Sequence, residues 1–193
     1  MSEVGTIAVI GAGALGRSIA QLAALGGFPT ILEDILPASL NRAGNEIRAA
    51  LGQALAHGAL AQPAVDAALA RIEYASSVEQ AARSASLVIE AVPDELESKI
   101  EIFTLLDKVA KPATILVSTA ALLSVTELAT VTYRAKKILG MRFTLPNDQT
   151  QPLEIIRGHE TDDATLAAGV EVARRMGLKI VVIQESRSTA EAG

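Results

Sequence analysis

Short apolar runs alternate along the chain with stretches in which apolar residues recur every three or four positions. The short runs, rich in Val, Ile and Leu, are typical of strands buried on both faces and occur at 7–10, 30–32, 87–92, 113–117, 138–143, 153–156 and 179–183. The periodic stretches predict amphipathic helices, one that follows the first strand up to Gly26 and others over 37–57, 65–72, 78–83, 96–109, 124–129 and 163–176. Ser77 and Ser124, each with a Gln or Glu three positions later, are predicted helix N-caps.

The order of these elements predicts the fold class. Strands that alternate with helices of this length form parallel sheets joined by right-handed crossovers. We therefore expect an α/β fold, a doubly wound and mostly parallel sheet with helices on both faces. No repeat or linker interrupts the pattern, so residues 1–183 are expected to form a single domain. Residues 184–193 are polar and small, and we expect them to be a frayed tail.

The turn after the first strand has the sequence Gly11-Ala12-Gly13-Ala14-Leu15-Gly16, a GxGxxG motif. With a strand before it and a helix after it, the motif is the fingerprint of dinucleotide-binding Rossmann domains. The first glycine allows a tight exit from the strand, the second lets the backbone approach a pyrophosphate, and the third lets the helix pack closely on the sheet. We predict that Ala14 and Leu15, with the three glycines, bind the cofactor at the helix N-terminus. A glycine turn without a ligand is the alternative.

Asp34 follows the second predicted strand, about 20 residues after the motif. A carboxylate at this place would accept hydrogen bonds from ribose hydroxyls and would repel a 2′-phosphate. The next residue, Ile35, supplies no compensating positive charge. The sequence therefore predicts NAD as the cofactor, in preference to NADP.

Composition and charge narrow the possible functions. The chain has 193 residues, a formal net charge of −5, no cysteine and two histidines, His57 and His159. The negative charge argues against a nucleic-acid partner, and the lack of cysteine excludes disulfides and thiolate chemistry. The two histidines lack the spacing of a ligand pair, so we expect no metal. No apolar run reaches the length of a membrane span and no signal-peptide pattern is present, so we expect no membrane partner and a cytoplasmic location.

Three further blocks follow the glycine motif in order: EAVPDELESK at 90–99, LSVTELA at 123–129, and LGMRF at 139–143 leading to PLEIIRG at 152–158. Together with the motif they resemble the NAD-binding domain of the 3-hydroxyacyl-CoA dehydrogenase family, over about residues 4–183. The resemblance implies hydride transfer between NAD and a 3-hydroxyacyl substrate. It also implies that Asp94 and Lys99 lie near the nicotinamide half of the cofactor. For Lys99, an exposed charge on a helix is the alternative.

The resemblance places Arg142 and Glu154 at the catalytic positions. The family uses a His–Glu pair in which the imidazole takes the hydroxyl proton and the carboxylate orients the imidazole. Glu154 matches the carboxylate, but Arg142 stands at the histidine position. A guanidinium stays protonated near neutral pH, so it cannot act as a base. We expect Arg142 either to form an ion pair with Glu154 or to act on the substrate, by binding a carboxylate or by polarising a carbonyl.

Other substrate-side positions also depart from the family pattern. Ala121 and Leu145 stand where the family has a serine and an asparagine, and Ala50 and His57 stand at its coenzyme A contacts. These changes favour impaired or altered catalysis on an acyl-CoA or a carboxylate-bearing substrate. A non-catalytic module that binds NAD(H) or a partner protein is the alternative.

The family continues after the last strand into a helical domain that completes the cleft and forms the dimer. Here the last strand is followed by a short polar segment that ends at Gly193. Leu122, Leu123 and Leu145 would add apolar surface to a cleft without that domain, and such surface usually marks an interface. We therefore expect a homodimer or a separate helical-domain partner.

Overall fold

An eight-stranded sheet lies at the centre of the computed structural model, which describes residues 4–121, 123–143 and 151–186. The strands are β1 (Ile7–Ile10), β2 (Thr30–Glu33), β3 (Ile72–Ala75), β4 (Leu87–Glu90), β5 (Ile115–Ser118), β6 (Ile138–Arg142), β7 (Leu153–Arg157) and β8 (Ile180–Gln184). The helices are α1 (Ala14–Leu25), α2 (Pro37–Ala56), α3 (Gln62–Ala70), α4 (Val78–Ser84), α5 (Leu96–Val109), α6 (Val125–Thr130) and α7 (Asp163–Arg175), and a 3₁₀ turn spans Ala135–Lys137.

The strand order, β3-β2-β1-β4-β5-β6-β7-β8, confirms the predicted doubly wound α/β fold. β1 lies between β2 and β4 and pairs in parallel with both. The chain runs outward from β1 to β3, crosses back to β4, and then continues outward to β6 with parallel pairing throughout. The carboxyl ends of β1 and β4 therefore meet where the winding direction reverses, which is where open α/β sheets bind ligands.

The pairing of β6 with β7 departs from the parallel arrangement that the alternation of strands and helices predicts. β7 runs antiparallel to β6, with Arg142 opposite Glu154, and β8 pairs in parallel with β7. Residues 143–152 separate β6 from β7, whereas a parallel crossover needs a dozen or more residues. The short separation favours a reversal of direction.

The hydrophobic pattern does not predict β3. It predicts a helix over 65–72, but α3 ends at Ala70 and the chain then enters a strand. β3 is an edge strand whose middle residues, Glu73 and Tyr74, are exposed, so only its first and last residues are buried. Two buried positions are too few to give a recognisable strand pattern.

Helices cover both faces of the sheet and enclose two buried clusters. Residues of α1, α2, α3 and α7 belong to the first cluster, and residues of α4, α5 and α6 belong to the second. The two faces alternate along β1, with Val9 in the first cluster and Ile10 in the second, as the period of a strand requires. The predicted N-caps are also confirmed, because Ser77 Oγ accepts the Gln80 N–H and Ser124 Oγ accepts the Glu127 N–H.

The first residues of the predicted tail are tied to the domain. Gln184 is the last residue of β8, and the carboxylate of Glu185 accepts hydrogen bonds from the backbone N–H groups of Val125 and Thr126, each at 2.9 Å. Burial acts to raise the pKa of Glu185, but the hydrogen bond from the Thr126 hydroxyl, together with these backbone contacts, outweighs it and lowers the pKa. The expectation of a frayed tail is therefore wrong for Gln184 and Glu185. Residues 187–193 lie outside the described residues, and the domain boundary at residue 183 stays a prediction.

Candidate functional site

The glycine motif forms the turn between β1 and α1. Gly11 has a φ of +102°, and a Cβ at this position would lie 2.7 Å from the carbonyl oxygen of Ala91. A Cβ on Gly16 would lie 1.8 Å from the carbonyl oxygen of Gly11. Both glycines are therefore required by the packing of the turn itself, as the motif predicts.

Gly13 differs from the other two glycines. Its φ of −67° suits any residue, and a Cβ there would meet no protein atom within 4 Å. The packing of the fold does not explain this glycine, but the approach of a ligand to the backbone does. Ala14 and Leu15 follow as the first residues of α1, exposed and half-buried respectively.

The N-terminus of α1 has the properties of a phosphate site. No side chain of residues 4–121, 123–143 or 151–186 caps it, and no acidic residue lies in its first turn. The first N–H groups of a helix lack partners within the helix and lie at the positive end of its dipole. The uncapped turn, together with the open space at Gly13, therefore fits a pyrophosphate.

Asp34 lies directly after β2, beside this turn. Its Oδ2 accepts the N–H of Ala12 at 3.0 Å, and its Oδ1 accepts the N–H of Leu36 at 2.9 Å. The two contacts fix the carboxylate next to the phosphate turn and leave further acceptor positions on each oxygen. This placement fits the predicted contact with ribose hydroxyls.

Glu33, the last residue of β2, is a feature that the sequence reasoning missed. Its side chain is buried, and its Oε1 has no hydrogen-bond partner in the part of the chain that the structure describes. Burial, together with the negative charges of Asp34 and Glu79, raises its pKa from 4.5 to about 7. The only signal in the sequence is a glutamate at the end of an otherwise apolar run.

Lys99 points into the protein from α5 and is not exposed to solvent. It is 1% exposed, and its Nζ donates to both carboxylate oxygens of Glu90, at 2.7 and 2.8 Å. The Oδ1 of Asp94 lies 3.7 Å from the same Nζ. The alternative of an exposed helix charge is therefore wrong, because α5 turns Lys99 inward. A direct contact with the cofactor stays a prediction.

Glu90 is the centre of the network around Lys99. It is 0% exposed and also accepts the N–H of Val92 at 2.8 Å. Burial raises the pKa of Glu90, and the charge of Lys99 acts in the opposite direction. Glu90 was not among the predicted site residues, because a residue of an apolar strand shows its partner only in the folded structure.

Asp94 connects two loops at the carboxyl edge of the sheet. It lies in the loop after β4, and its Oδ2 accepts the N–H of Ala121 in the loop after β5, at 3.1 Å. Its carboxylate remains partly exposed. The structure thus brings Asp94 and Lys99 together, with Asp94 as the member that a ligand can reach.

Arg142 and Glu154 form an ion pair, the first of the two expected arrangements. The Nη1 of Arg142 donates to the Oε2 of Glu154 at 2.6 Å, across the antiparallel pair of β6 and β7. Their side chains keep 38% and 35% of their surface exposed. The Nε of Arg142 is buried, and no described residue accepts a hydrogen bond from it.

The remaining predicted substrate-side residues are spread over the chain. Ala121 is exposed beside Asp94, whereas Leu122 and Leu145 lie outside the described residues. Ala50 is half-buried on α2, and His57 is exposed at the C-cap of that helix.

The described residues contain no helix that is both long and apolar enough to cross a membrane. Within the same ranges, no group of three or more metal-ligating side chains is arranged to hold a metal ion.

Comparison with known proteins identifies close relatives. The sequence profile of the "3-hydroxyacyl-CoA dehydrogenase, NAD binding domain" matches residues 6–186. A probable 3-hydroxybutyryl-CoA dehydrogenase of Bacillus subtilis is 32% identical over 183 residues, which cover 95% of this chain and 63% of that protein. The 3-hydroxybutyryl-CoA dehydrogenase of Bradyrhizobium diazoefficiens is 34% identical over 179 residues, or 93% of this chain and 61% of that protein.

Solved structures give the same result. The crystal structure of 3-hydroxybutyryl-CoA dehydrogenase from Escherichia coli K12 superposes with a TM-score of 0.91 at 29% identity, over 96% of this chain and 39% of that chain. This chain thus spans less than two thirds of the length of these relatives. The phosphate turn and Asp34 fit the cofactor that the family uses, which is NAD. The chain belongs to the 3-hydroxyacyl-CoA dehydrogenase family, of which it contains the NAD-binding domain.

Proposed function

We propose that this chain is the NAD-binding part of a dehydrogenase for a 3-hydroxyacyl-type CH–OH substrate, with impaired or altered catalysis. The binding half is supported by the uncapped N-terminus of α1, the open space at Gly13 and the fixed carboxylate of Asp34. The α1 N-terminus would bind the pyrophosphate, and Asp34 would bind a ribose. NAD, when bound, accepts or supplies the hydride.

The altered chemistry rests on the ion pair between Arg142 and Glu154. Oxidation of an alcohol requires a group that accepts the hydroxyl proton near neutral pH. A guanidinium cannot accept it, and the carboxylate of Glu154 is already engaged with Arg142. Ala121 has no hydroxyl that could pass a proton on. The chain therefore lacks an evident base at the position where the family has its histidine.

The substrate and the assembly belong to the same proposal. The names of the relatives refer to 3-hydroxybutyryl-CoA, which supports an acyl-CoA substrate.

A second copy in a homodimer, or a separate helical-domain partner, would cover the cleft. The exposure of Val181 and Val182 on the edge strand β8 supports an interface at that end of the sheet. Sedimentation measurements over a range of protein concentrations test this part, and a monomer at every concentration, with no partner recovered from the source, would contradict it. We also propose a cytoplasmic location.

A second candidate function, a non-catalytic NAD(H)-binding or partner-binding module, is favoured by the same Arg142–Glu154 ion pair. Calorimetric titration with NADH, followed by hydride-transfer assays on a panel of 3-hydroxyacyl-CoA thioesters and free 3-hydroxy acids, separates the candidates. Binding of NADH with slow turnover of some of these compounds supports the altered dehydrogenase. Binding of NADH with no turnover of any of them supports the non-catalytic module. Absence of NADH binding would contradict both NAD-dependent functions.

A further inference from the structure

We infer that Arg142, held by Glu154, is the receptor for a carboxylate of the substrate. The substrate class would then be hydroxy or oxo acids that keep a free carboxylate close to the reacting carbon. This inference rests on the proposed function, because it concerns the substrate side of the same site. It is drawn from the position of Arg142, its pairing and its unsatisfied N–H group.

The position of Arg142 follows from the strand register. Ser118 of β5 pairs with Gly140 of β6, so Arg142, two residues further along β6, lies level with the loop that follows β5. That loop is tied to Asp94 by the hydrogen bond from the N–H of Ala121. Arg142 therefore lies at the carboxyl edge of the sheet, where doubly wound folds bind their ligands.

The pairing with Glu154 holds the guanidinium in place and engages only part of it. A guanidinium has five N–H donors, and within the described ranges one nitrogen, Nη1, donates, to Glu154. The side chain of Arg142 is 38% exposed, so solvent and ligands reach it. The ion pair keeps the charged group near the carboxyl edge of the sheet.

The Nε of Arg142 is buried and has no hydrogen-bond partner among the described residues. A buried donor that lacks an acceptor costs about 1–3 kcal/mol, and more when the group is charged. Such groups are uncommon in folded proteins, so each calls for an explanation. A ligand that supplies the missing acceptor explains this one. Binding would require the half-exposed side chain to turn its Nε edge toward the ligand.

The geometry of a guanidinium edge determines the class of ligand. Its Nε and Nη2 groups match the two oxygens of a carboxylate and form two parallel, charge-assisted hydrogen bonds. A neutral thioester or ester has no negative charge and no pair of equivalent oxygens, so its attraction to the same edge is weaker. Arg142 should therefore discriminate between a free acid and its neutral ester.

Binding of acetoacetate and of methyl acetoacetate to the protein–NADH complex, followed by NADH fluorescence, tests this inference. We expect acetoacetate to bind at least about tenfold more tightly than the ester, a difference of about 1.4 kcal/mol. Arg142→Gln should abolish the difference, and Arg142→Lys should retain part of it, because lysine keeps the charge without the planar fork. Arg157→Gln is the matched control, since Arg157 pairs with Asp163 at the far end of β7 and should not affect the discrimination.

The affinity for NADH, measured first for every variant, separates the two levels of the argument. A protein that binds no NADH overturns both the proposed function and the carboxylate receptor. If the protein binds NADH but binds the acid and the ester with equal affinity, the carboxylate receptor alone is overturned. The same holds if the Arg142→Gln variant still binds the acid more tightly than the ester.

Discussion

Replacing Glu33 with glutamine should remove a pH dependence from the stability of the domain. Glu33 is 2% exposed, and burial, with Asp34 and Glu79 nearby, raises its pKa from 4.5 to about 7. The folded protein therefore keeps the proton to a higher pH than the unfolded chain does. The stability that this proton contributes is fully present below about pH 4.5 and is lost as the pH rises through about 7.

The size of the effect follows from the shift in pKa. Each pKa unit corresponds to about 1.36 kcal/mol, so the shift from 4.5 to about 7 has an upper limit of about 3 kcal/mol. Solvent near the end of the strand screens part of this energy, so we expect about 2 kcal/mol. The wild-type protein should lose this much free energy of unfolding, relative to Glu33→Gln, between about pH 4.5 and about pH 8.

Urea denaturation followed by circular dichroism across this pH range measures the difference. Glutamine keeps the shape of the side chain, and any change that it makes in the free energy of unfolding is the same at every pH. The part of the difference between wild type and Glu33→Gln that varies with pH therefore comes from the carboxyl group. Glu73→Gln, on the exposed middle of the neighbouring strand β3, is the matched control and should follow the wild type. Parallel pH profiles for the wild type and Glu33→Gln would refute the reasoning.

Three other predictions concern the cofactor turn and the buried ion pair. Gly13→Val should abolish NADH binding in calorimetry. It should lower the free energy of unfolding by about 1 kcal/mol or less, because a Cβ at this position meets no described protein atom. The control Gly52→Val, at an equally open position of α2, should bind NADH normally. NAD(H) should bind at least about tenfold, or about 1.4 kcal/mol, more tightly than NADP(H), and equal affinities would contradict the role of Asp34. Lys99→Met should lower the free energy of unfolding in urea by about 3–5 kcal/mol, because it leaves Glu90 buried without its partner. The double variant Lys99→Met/Glu90→Gln should regain part of that free energy. If Lys99→Met destabilises the protein no more than the same substitution of an exposed lysine does, the buried pair is contradicted.

The phosphate turn is the part of the site that the sequence predicts best. Gly11 and Gly16 are required by contacts within the turn itself, and Asp34 follows the next strand at the spacing of the motif. Local spacing is enough to find these residues. The stop of α1 and the caps at Ser77 and Ser124 are local signals of the same kind.

The other features depend on contacts between distant elements. Lys99 stands on an amphipathic helix, and only the folded structure shows that it points inward toward Glu90 on a strand. The antiparallel direction of β7 depends on how the chain turns after β6, and the edge strand β3 has too few buried residues to stand out. In each case a charge or a pairing partner from another element decides the outcome, and no periodicity in the sequence reports it.

The central claim is that this chain keeps the NAD site of its family beside a catalytic site whose proton acceptor is changed. The rate of NADH formation from 3-hydroxybutyryl-CoA and NAD by the unmodified protein tests it most directly. General-base assistance is worth about 10²–10⁴-fold, so we predict a turnover that is absent or at least about a hundredfold below that of the Bacillus subtilis relative assayed alongside. Arg142→His alone should raise the rate only modestly, because Ala121 and Leu145 also depart from the family pattern. Rapid NADH formation by the unmodified protein that disappears in Glu154→Gln would contradict the account, because it would require a working base that Arg142 does not disable.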